Sequence, residues 1–324
     1  GSTIDFDGIT YITGKTGVSA VDGSLFNIDG HTTVVGDNNG VVLTGNSSAT
    51  EQSKITGNLL AAAENGTAIT LTDTKLTVNG DEIIYGENGL VITDSVNSID
   101  GSLSGIANDT AVKITDTDAS ANTNLTIGGN IGVEGGKYGV VAENATVTVK
   151  NENGYGVNYI AGGEKAVSAT DSTISLDAGS DGRNILISTD SNALYAVDST
   201  VTVSGGRNTI ITGEKGSGAN AIYTGTAINA TNDSNTAGTN GSTVNILGNE
   251  NFIGGTVRAN GEDTVVNIGG SLANGNLTSA GSNYITSAAH GVGTGSNASV
   301  VATVFAQNDA NVNIKGERNY IIAK

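Results

Sequence analysis

The stretch "GGRNTIITGE" at residues 205–214 has close relatives in "DGRNILISTD" at 181–190 and "GERNYIIAK" at 316–324. Each sets an Asn just ahead of a short aliphatic run. Aligned on that Asn, the chain contains Val157-Asn158-Tyr159-Ile160, Arg183-Asn184-Ile185-Leu186 and Arg207-Asn208-Thr209-Ile210. Glu250-Asn251-Phe252-Ile253, Ser282-Asn283-Tyr284-Ile285 and Arg318-Asn319-Tyr320-Ile321 follow. From Asn158 to Asn184 is 26 residues and from Asn184 to Asn208 is 24; later copies stand further apart, as insertions into the same unit would make them.

Two more patterns travel with the first. Ala145-Thr146-Val147-Thr148-Val149 returns 27 residues on as Ser172-Thr173-Ile174-Ser175-Leu176, and after another 27 as Ser199-Thr200-Val201-Thr202-Val203. Weaker copies are Ser242-Thr243-Val244-Asn245-Ile246 and Ala310-Asn311-Val312-Asn313-Ile314. Polar and aliphatic residues alternate, the period of a half-buried strand. The third pattern is Val140-Val141-Ala142, Ala166-Val167-Ser168-Ala169 and Ala193-Leu194-Tyr195-Ala196, with earlier copies at Thr67–Leu71 and Ala111–Ile114. Three short strands per unit of roughly 22–27 residues fall within the periods that mark solenoids. The expectation is an all-β, three-sided parallel β-helix of about 12–13 turns, a single domain over 1–324 and a rod roughly 60 Å long at about 4.8 Å per turn. One turn cannot bury its own apolar face, so stability comes from stacking.

Composition fits this. Forty-eight Gly and no Pro, Met or Trp, with 37% hydrophobic residues that are almost all small and aliphatic, suit a narrow regular interior. Proline would remove a ladder donor. In the Gly-x-Asn-x-Ile pattern, Gly is expected to turn the corner and Asn to tolerate the left-handed region there. Asn158, Asn184, Asn208, Asn251, Asn283 and Asn319 are expected to stack as a structural ladder of amides. Loop insertions are expected near 49–65, with a short helix over Leu59 to Glu64, and near 219–243 and 286–299. Within these, Asn229, Asn232, Asp233, Asn235, Thr239, Asn240, His290 and Asn297 are the candidate contact residues, because loops on a rigid frame carry recognition.

The net charge of −18 repels phosphate backbones, which argues against nucleic acid as a partner. The apolar runs are too short for a bilayer-spanning helix. With no Cys there are no disulfides, thiol nucleophiles or thiolate metal sites, which also suits a chain that crosses a periplasm. No signal peptide is visible, and Gly1-Ser2 reads as a remnant ahead of a fragment of a longer protein.

Catalysis is not expected. A polygalacturonase-like site would show Asn-Thr-Asp, paired Asp-Asp and Gly-His-Gly; here there is Ala289-His290-Gly291 and no Asp-Asp pair. Glycoside hydrolysis needs two carboxylates across a cleft, whereas Asp171 and Asp198 lie one repeat apart before Ser172 and Ser199. His31 and His290 sit near opposite ends of the rod, without a Ser-His-Asp context. Asp116 with Asp118, or Asp94 with Asp100, are candidate calcium acids that read better as solvated corner residues; no metal or cofactor is expected. Gly128-Gly129-Asn130 and Gly205-Gly206-Arg207 lack the Lys-Ser/Thr ending of a phosphate loop. Tyr159, Tyr284 and Tyr320 share one motif position and line one side, most simply as a packed aromatic ladder.

The Ser-Thr-Val-Thr-Val strands, the Gly-x-Asn-x-Ile corners, the Gly richness and the lack of Cys together resemble the passenger region of a type V autotransporter, over almost the whole chain. That resemblance implies a right-handed β-helix displayed on the bacterial cell surface, anchored through a C-terminal β-barrel missing from this chain. It implies adhesion to a host-cell protein or glycan, biofilm formation or self-association with another copy, and no membrane insertion by this fragment. The Gly-Asp-Ser-Gly protease module of one passenger branch is absent. Two other readings stand beside it: a polysaccharide lyase or hydrolase, and a structural stalk that presents a distal domain.

Overall fold

The computed structural model describes residues 2–45, 52–118, 122–151, 153–215, 222–223, 225–232, 241–287 and 302–323. The chain is a parallel β-helix. Among the described residues the Thr-Val-Thr-Val pattern forms one sheet of twelve parallel strands, from Thr3–Asp7 to Asn311–Ile314. Each strand pairs in register with its counterpart one turn later, as Thr146 does with Thr173 and Thr173 with Thr200. At about 4.8 Å per strand the twelve span roughly 53 Å. The Asn pattern gives a second series, which includes Val157–Gly162, Arg183–Ser188 and Arg207–Thr212. The Ala-Val pattern gives a third, which includes Tyr138–Glu143, Lys165–Thr170 and Asn192–Val197.

Turn length follows the repeat. The shortest step runs 21 residues, from Lys75 to Val96, and the next runs 28, from Val96 to Asn124. Two turns are far longer: 43 residues from Thr200 to Thr243 and 46 from Val265 to Asn311. The extra chain lies where insertions near 219–243 and 286–299 are expected. Both windows nevertheless include rod. Thr226–Thr231 is a third-series strand paired with Asn192–Val197, and Thr286 and Ser287 close the second-series strand Ser282–Ser287. A small hairpin, Glu214–Lys215 with Ile222–Tyr223, also arises within the longer of the first two insertions.

The helix expected over Leu59 to Glu64 is absent: Leu59–Ala63 is a second-series strand, paired with Thr32–Gly36 before it and with Glu82–Tyr85 after it. Leu and Ala favour helix in isolation, but here Leu59, Ala61 and Ala63 point into the core. Burial and two neighbouring ladders override an intrinsic preference of under about 1 kcal/mol per residue.

The interior is a continuous aliphatic column. In the first series Val147 and Val149, Ile174 and Leu176, and Val201 and Val203 are buried, while the Thr and Ser between them face out. The third series starts with two successive buried residues, such as Ala166-Val167 and Ala193-Leu194, because the chain is still rounding a corner. The first of each pair must be small. At Gly139, which fills that place one turn before Ala166, a Cβ would stand 2.6 Å from the Ala166 carbonyl oxygen. This narrowness explains a composition so rich in Ala, Val and Ile and so poor in aromatics.

The corners differ from expectation in one respect. The recurring Asn is not left-handed; it is the second residue of an extended strand. Positive φ belongs instead to the acid or amide before each Thr-Val-Thr strand: Asp73 (48°), Asp94 (49°), Asn144 (52°), Asp171 (49°) and Asp198 (47°). Short polar side chains tolerate that conformation better than other residues that bear a Cβ. The glycine before Arg-Asn answers a different demand. A Cβ on Gly182 would lie 1.8 Å from the Ala178 carbonyl oxygen, so the turn closes only without one.

Candidate functional site

The six ladder asparagines are stacked in one line. Asn158 Nδ2 donates to Asn184 Oδ1, Asn184 to Asn208, Asn208 to Asn251 and Asn251 to Asn283, each at 2.8 Å; Asn283 donates to Asn319 at 2.7 Å. The first five are essentially buried and Asn319 is exposed. The second amide proton is also used: Asn184 donates to the Ser204 carbonyl and Asn208 to the Leu247 carbonyl. At the N-terminal end the Ile131 amide donates to Asn158 Oδ1. Fully satisfied in this way, a buried amide column can persist beside an apolar core. Its groups are consumed by the architecture and offer nothing to a ligand.

A second ladder, of serines, occupies the corner between the third and first series. Ser172 Oγ accepts from the Ala145 amide, Ser199 Oγ from the Ser172 amide and Ser242 Oγ from the Ser199 amide. Each hydroxyl then donates to a nearby carbonyl: Thr170, Val197 and Thr231 respectively. The Ser that leads each Ser-Thr-Val copy was the available signal. Asp171 and Asp198, beside it, serve the corner through their backbone conformation.

The remaining acids are scattered. Asp94 accepts the Thr117 amide at 2.6 Å, and Asp116 the Asp118 amide at 3.1 Å. Among the described residues no three His, Cys, Asp or Glu side chains converge as metal ligands. His31 Nδ1 accepts from the Asn58 amide, a structural bond between turns. Of the candidate contact residues, Asn229 lies inside the strand Thr226–Thr231 and is therefore not a loop residue. Asn232 is bonded to the Glu262 carbonyl. Asp233, Asn235, Thr239, Asn240, His290 and Asn297 fall outside the described residues.

One buried carboxyl is unexpected. Glu82 opens a second-series strand with its side chain wholly inside the rod, where Asn97 Nδ2 reaches its two oxygens at 3.2 and 3.4 Å. Burial pushes its pKa up to about 7, against the opposing effect of the Asn97 bond. Asn97 Oδ1 is buried without a partner. A protonated Glu82 is the form that suits this pocket, since it can donate where the ionised form can only accept.

Two outer surfaces stand out. On the first series, the two central outward columns run through Asn124, Thr146, Thr173, Thr200, Thr243 and Val265, and through Thr126, Thr148, Ser175, Thr202, Asn245 and Asn267. Across six turns they carry no charge and nearly only hydroxyl and amide groups. Amides at its C-terminal end bond into an outer ladder, Asn313 to Asn267 at 3.0 Å and Asn267 to Asn245 at 2.9 Å. On the second series, Phe252 and Tyr284 stack at 5.4 Å between centroids and 8° between planes, and Tyr320 follows at 6.3 Å. Tyr159 occupies the same column but is separated from them by Ile185 and Thr209. Rings stacked along the rod spend their faces on one another and leave edges to solvent, so this column is a packing ladder more than a platform for a ligand. Comparison with protein-family models, with curated proteins and with solved structures gave no match.

Proposed function

We propose that this chain is the adhesive rod of a bacterial surface protein, of the autotransporter passenger kind, which attaches cells to one another or to a host surface. The observation that carries the reading is the flat first-series face. It repeats the same hydroxyl and amide groups at every turn, about 4.8 Å apart, and it lies beside the Asp residues of the neighbouring corner. A surface of that kind holds no deep pocket and favours many weak hydrogen bonds that act together, so that avidity supplies the strength. The inward groups are fully occupied by the stack, and the acids are dispersed along it, which favours attachment over catalysis.

The test is a pair of charges in the middle of that face. Beads coated with the wild-type chain are expected to clump or to bind cultured cells. Thr148→Lys with Thr202→Lys, both outward, is expected to abolish this while far-UV circular dichroism stays unchanged. Undiminished clumping and cell binding by the folded double variant would reject the face as the adhesive surface.

A further inference from the structure

The architecture accounts for the Gly, the Asn and the Ile of the opening motif, and leaves its Arg without a role. That position points outward and is occupied in successive turns by Val157, Arg183, Arg207, Glu250, Ser282 and Arg318. Stacking therefore tolerates an aliphatic, a hydroxyl or either charge there. Yet three of the four arginines in the chain fall in this one column, on a molecule of net charge −18.

Arg183 and Arg207 are direct ladder neighbours. Like charges placed opposite each other on adjacent strands repel, and the repulsion is only half relieved. Arg207 Nε reaches Glu250 Oε2 at 2.9 Å, with both side chains about two-thirds exposed. Arg183 has no ion-pair partner among the described residues. The two arginines line a groove of about 480 Å³ at the corner between the first and second series. Tyr155, three-quarters exposed, stands at the same groove with Asp181, Asn249 and Glu250.

From this combination we infer that the groove binds an acidic saccharide, with its carboxylate held by Arg183 and Arg207. A guanidinium grips a carboxylate through paired N–H donors. Arg207 keeps its terminal nitrogens available after Nε is committed to Glu250. Asp181 and Glu250 would repel a bare anion or an acidic peptide, but they accept from sugar hydroxyls, as the Asn249 carbonyl does. An exposed aromatic beside such groups suits the apolar edge of a sugar ring. The volume lies within the range of small-ligand clefts. This surface is separate from the first-series face, so the inference does not depend on the adhesive reading.

The experiment is calorimetric titration of the purified chain with short oligosaccharides of galacturonate, guluronate and hyaluronan. Neutral galacto-oligosaccharides and a polyglutamate peptide serve as comparators. Binding to at least one uronate oligomer is expected, with affinity falling about tenfold or more in Arg183→Gln and further in Arg183→Gln with Arg207→Gln. Other turns place Val, Glu or Ser at this position, so these variants keep the fold, which circular dichroism verifies. Lys113→Gln, on the third series, removes a positive charge elsewhere and is expected to leave the affinity unchanged. Four results would each overturn the inference: no uronate oligomer binding more tightly than millimolar, neutral sugars binding equally well, polyglutamate binding equally well, or Lys113→Gln weakening binding as much as Arg183→Gln.

Discussion

Asn208→Ala is the sharpest test of what holds the rod together. The Asn208 side chain makes three hydrogen bonds: it accepts from Asn184 and donates to the Leu247 carbonyl and to Asn251 Oδ1. At roughly 1 kcal/mol net for each, their loss costs about 3 kcal/mol. The substitution also strands one Asn184 amide proton and the Asn251 oxygen in a buried column, where an unmet polar group costs a further 1–3 kcal/mol or so. The expected destabilisation is therefore about 4–5 kcal/mol. Asn319→Ala supplies the internal comparison. Asn319 accepts from Asn283 but is itself exposed, so water replaces much of what is lost and the cost stays near 1 kcal/mol. A stack of turns need not unfold in one step. Urea titration by circular dichroism should therefore be paired with amide hydrogen exchange, which is expected to rise most in the turns from Arg183 to Gly254. Equal effects from the two substitutions, or a loss below about 1 kcal/mol at Asn208, would refute the claim that the amide column is a main structural element.

Other outcomes follow from the same coordinates. Glu82 has its folded pKa raised from 4.5 to about 7. Its stabilising contribution is therefore full below pH 4.5, declines as pH rises through that interval, and is gone above 7; the change is on the order of 3 kcal/mol. Glu82→Gln should flatten that slope in urea titrations from pH 4 to 8 and raise stability at pH 8; a slope that survives the substitution must come from another group. Ser172→Ala removes an acceptor for the Ala145 amide and should cost about 1–2 kcal/mol by the same titration. At Gly162 a Cβ would meet the Lys165 carbonyl oxygen at 2.1 Å, so Gly162→Ala should lower the thermal midpoint clearly, whereas an unchanged midpoint would show that the corner yields. Phe252→Ala should lose about 1 kcal/mol of ring stacking beyond the buried area, measured as coupling in a double-mutant cycle with Tyr284→Ala.

The sequence carried the period and the three strand patterns plainly, because every turn solves the same packing problem with the same residues. The two long turns were legible for the same reason, as interruptions of that period. Three things were misread or missed, each through tertiary context. Leu59–Ala63 has the composition of a helix and becomes a strand because neighbours on both sides pair with it. The left-handed corner was assigned to Asn184 and its equivalents, but it sits at Asp171 and its equivalents, where the side chain has no part in the core. Asn97 was visible in principle, since "SVNSI" laid over "STVTV" puts an amide at the inward place of Val147. Its partner Glu82 belongs to a different strand series, and only the folded turn brings the two together. The contact residues in the insertions could be marked only by composition, and Asn229 shows how easily such a window takes in a piece of the rod.

The amide column has a built-in sense. Every Nδ2 in it donates toward the C-terminal end, and a backbone carbonyl beside each of Asn184, Asn208, Asn251 and Asn283 takes the spare proton. Turning a single amide over would set nitrogen against nitrogen on one side and oxygen against oxygen on the other, with a carbonyl facing the misplaced oxygen. Orientation is thus decided collectively by the whole file of side chains. The six small dipoles add head to tail, and the two ends of this part of the molecule are chemically unlike: one terminates in an acceptor and the other in a donor.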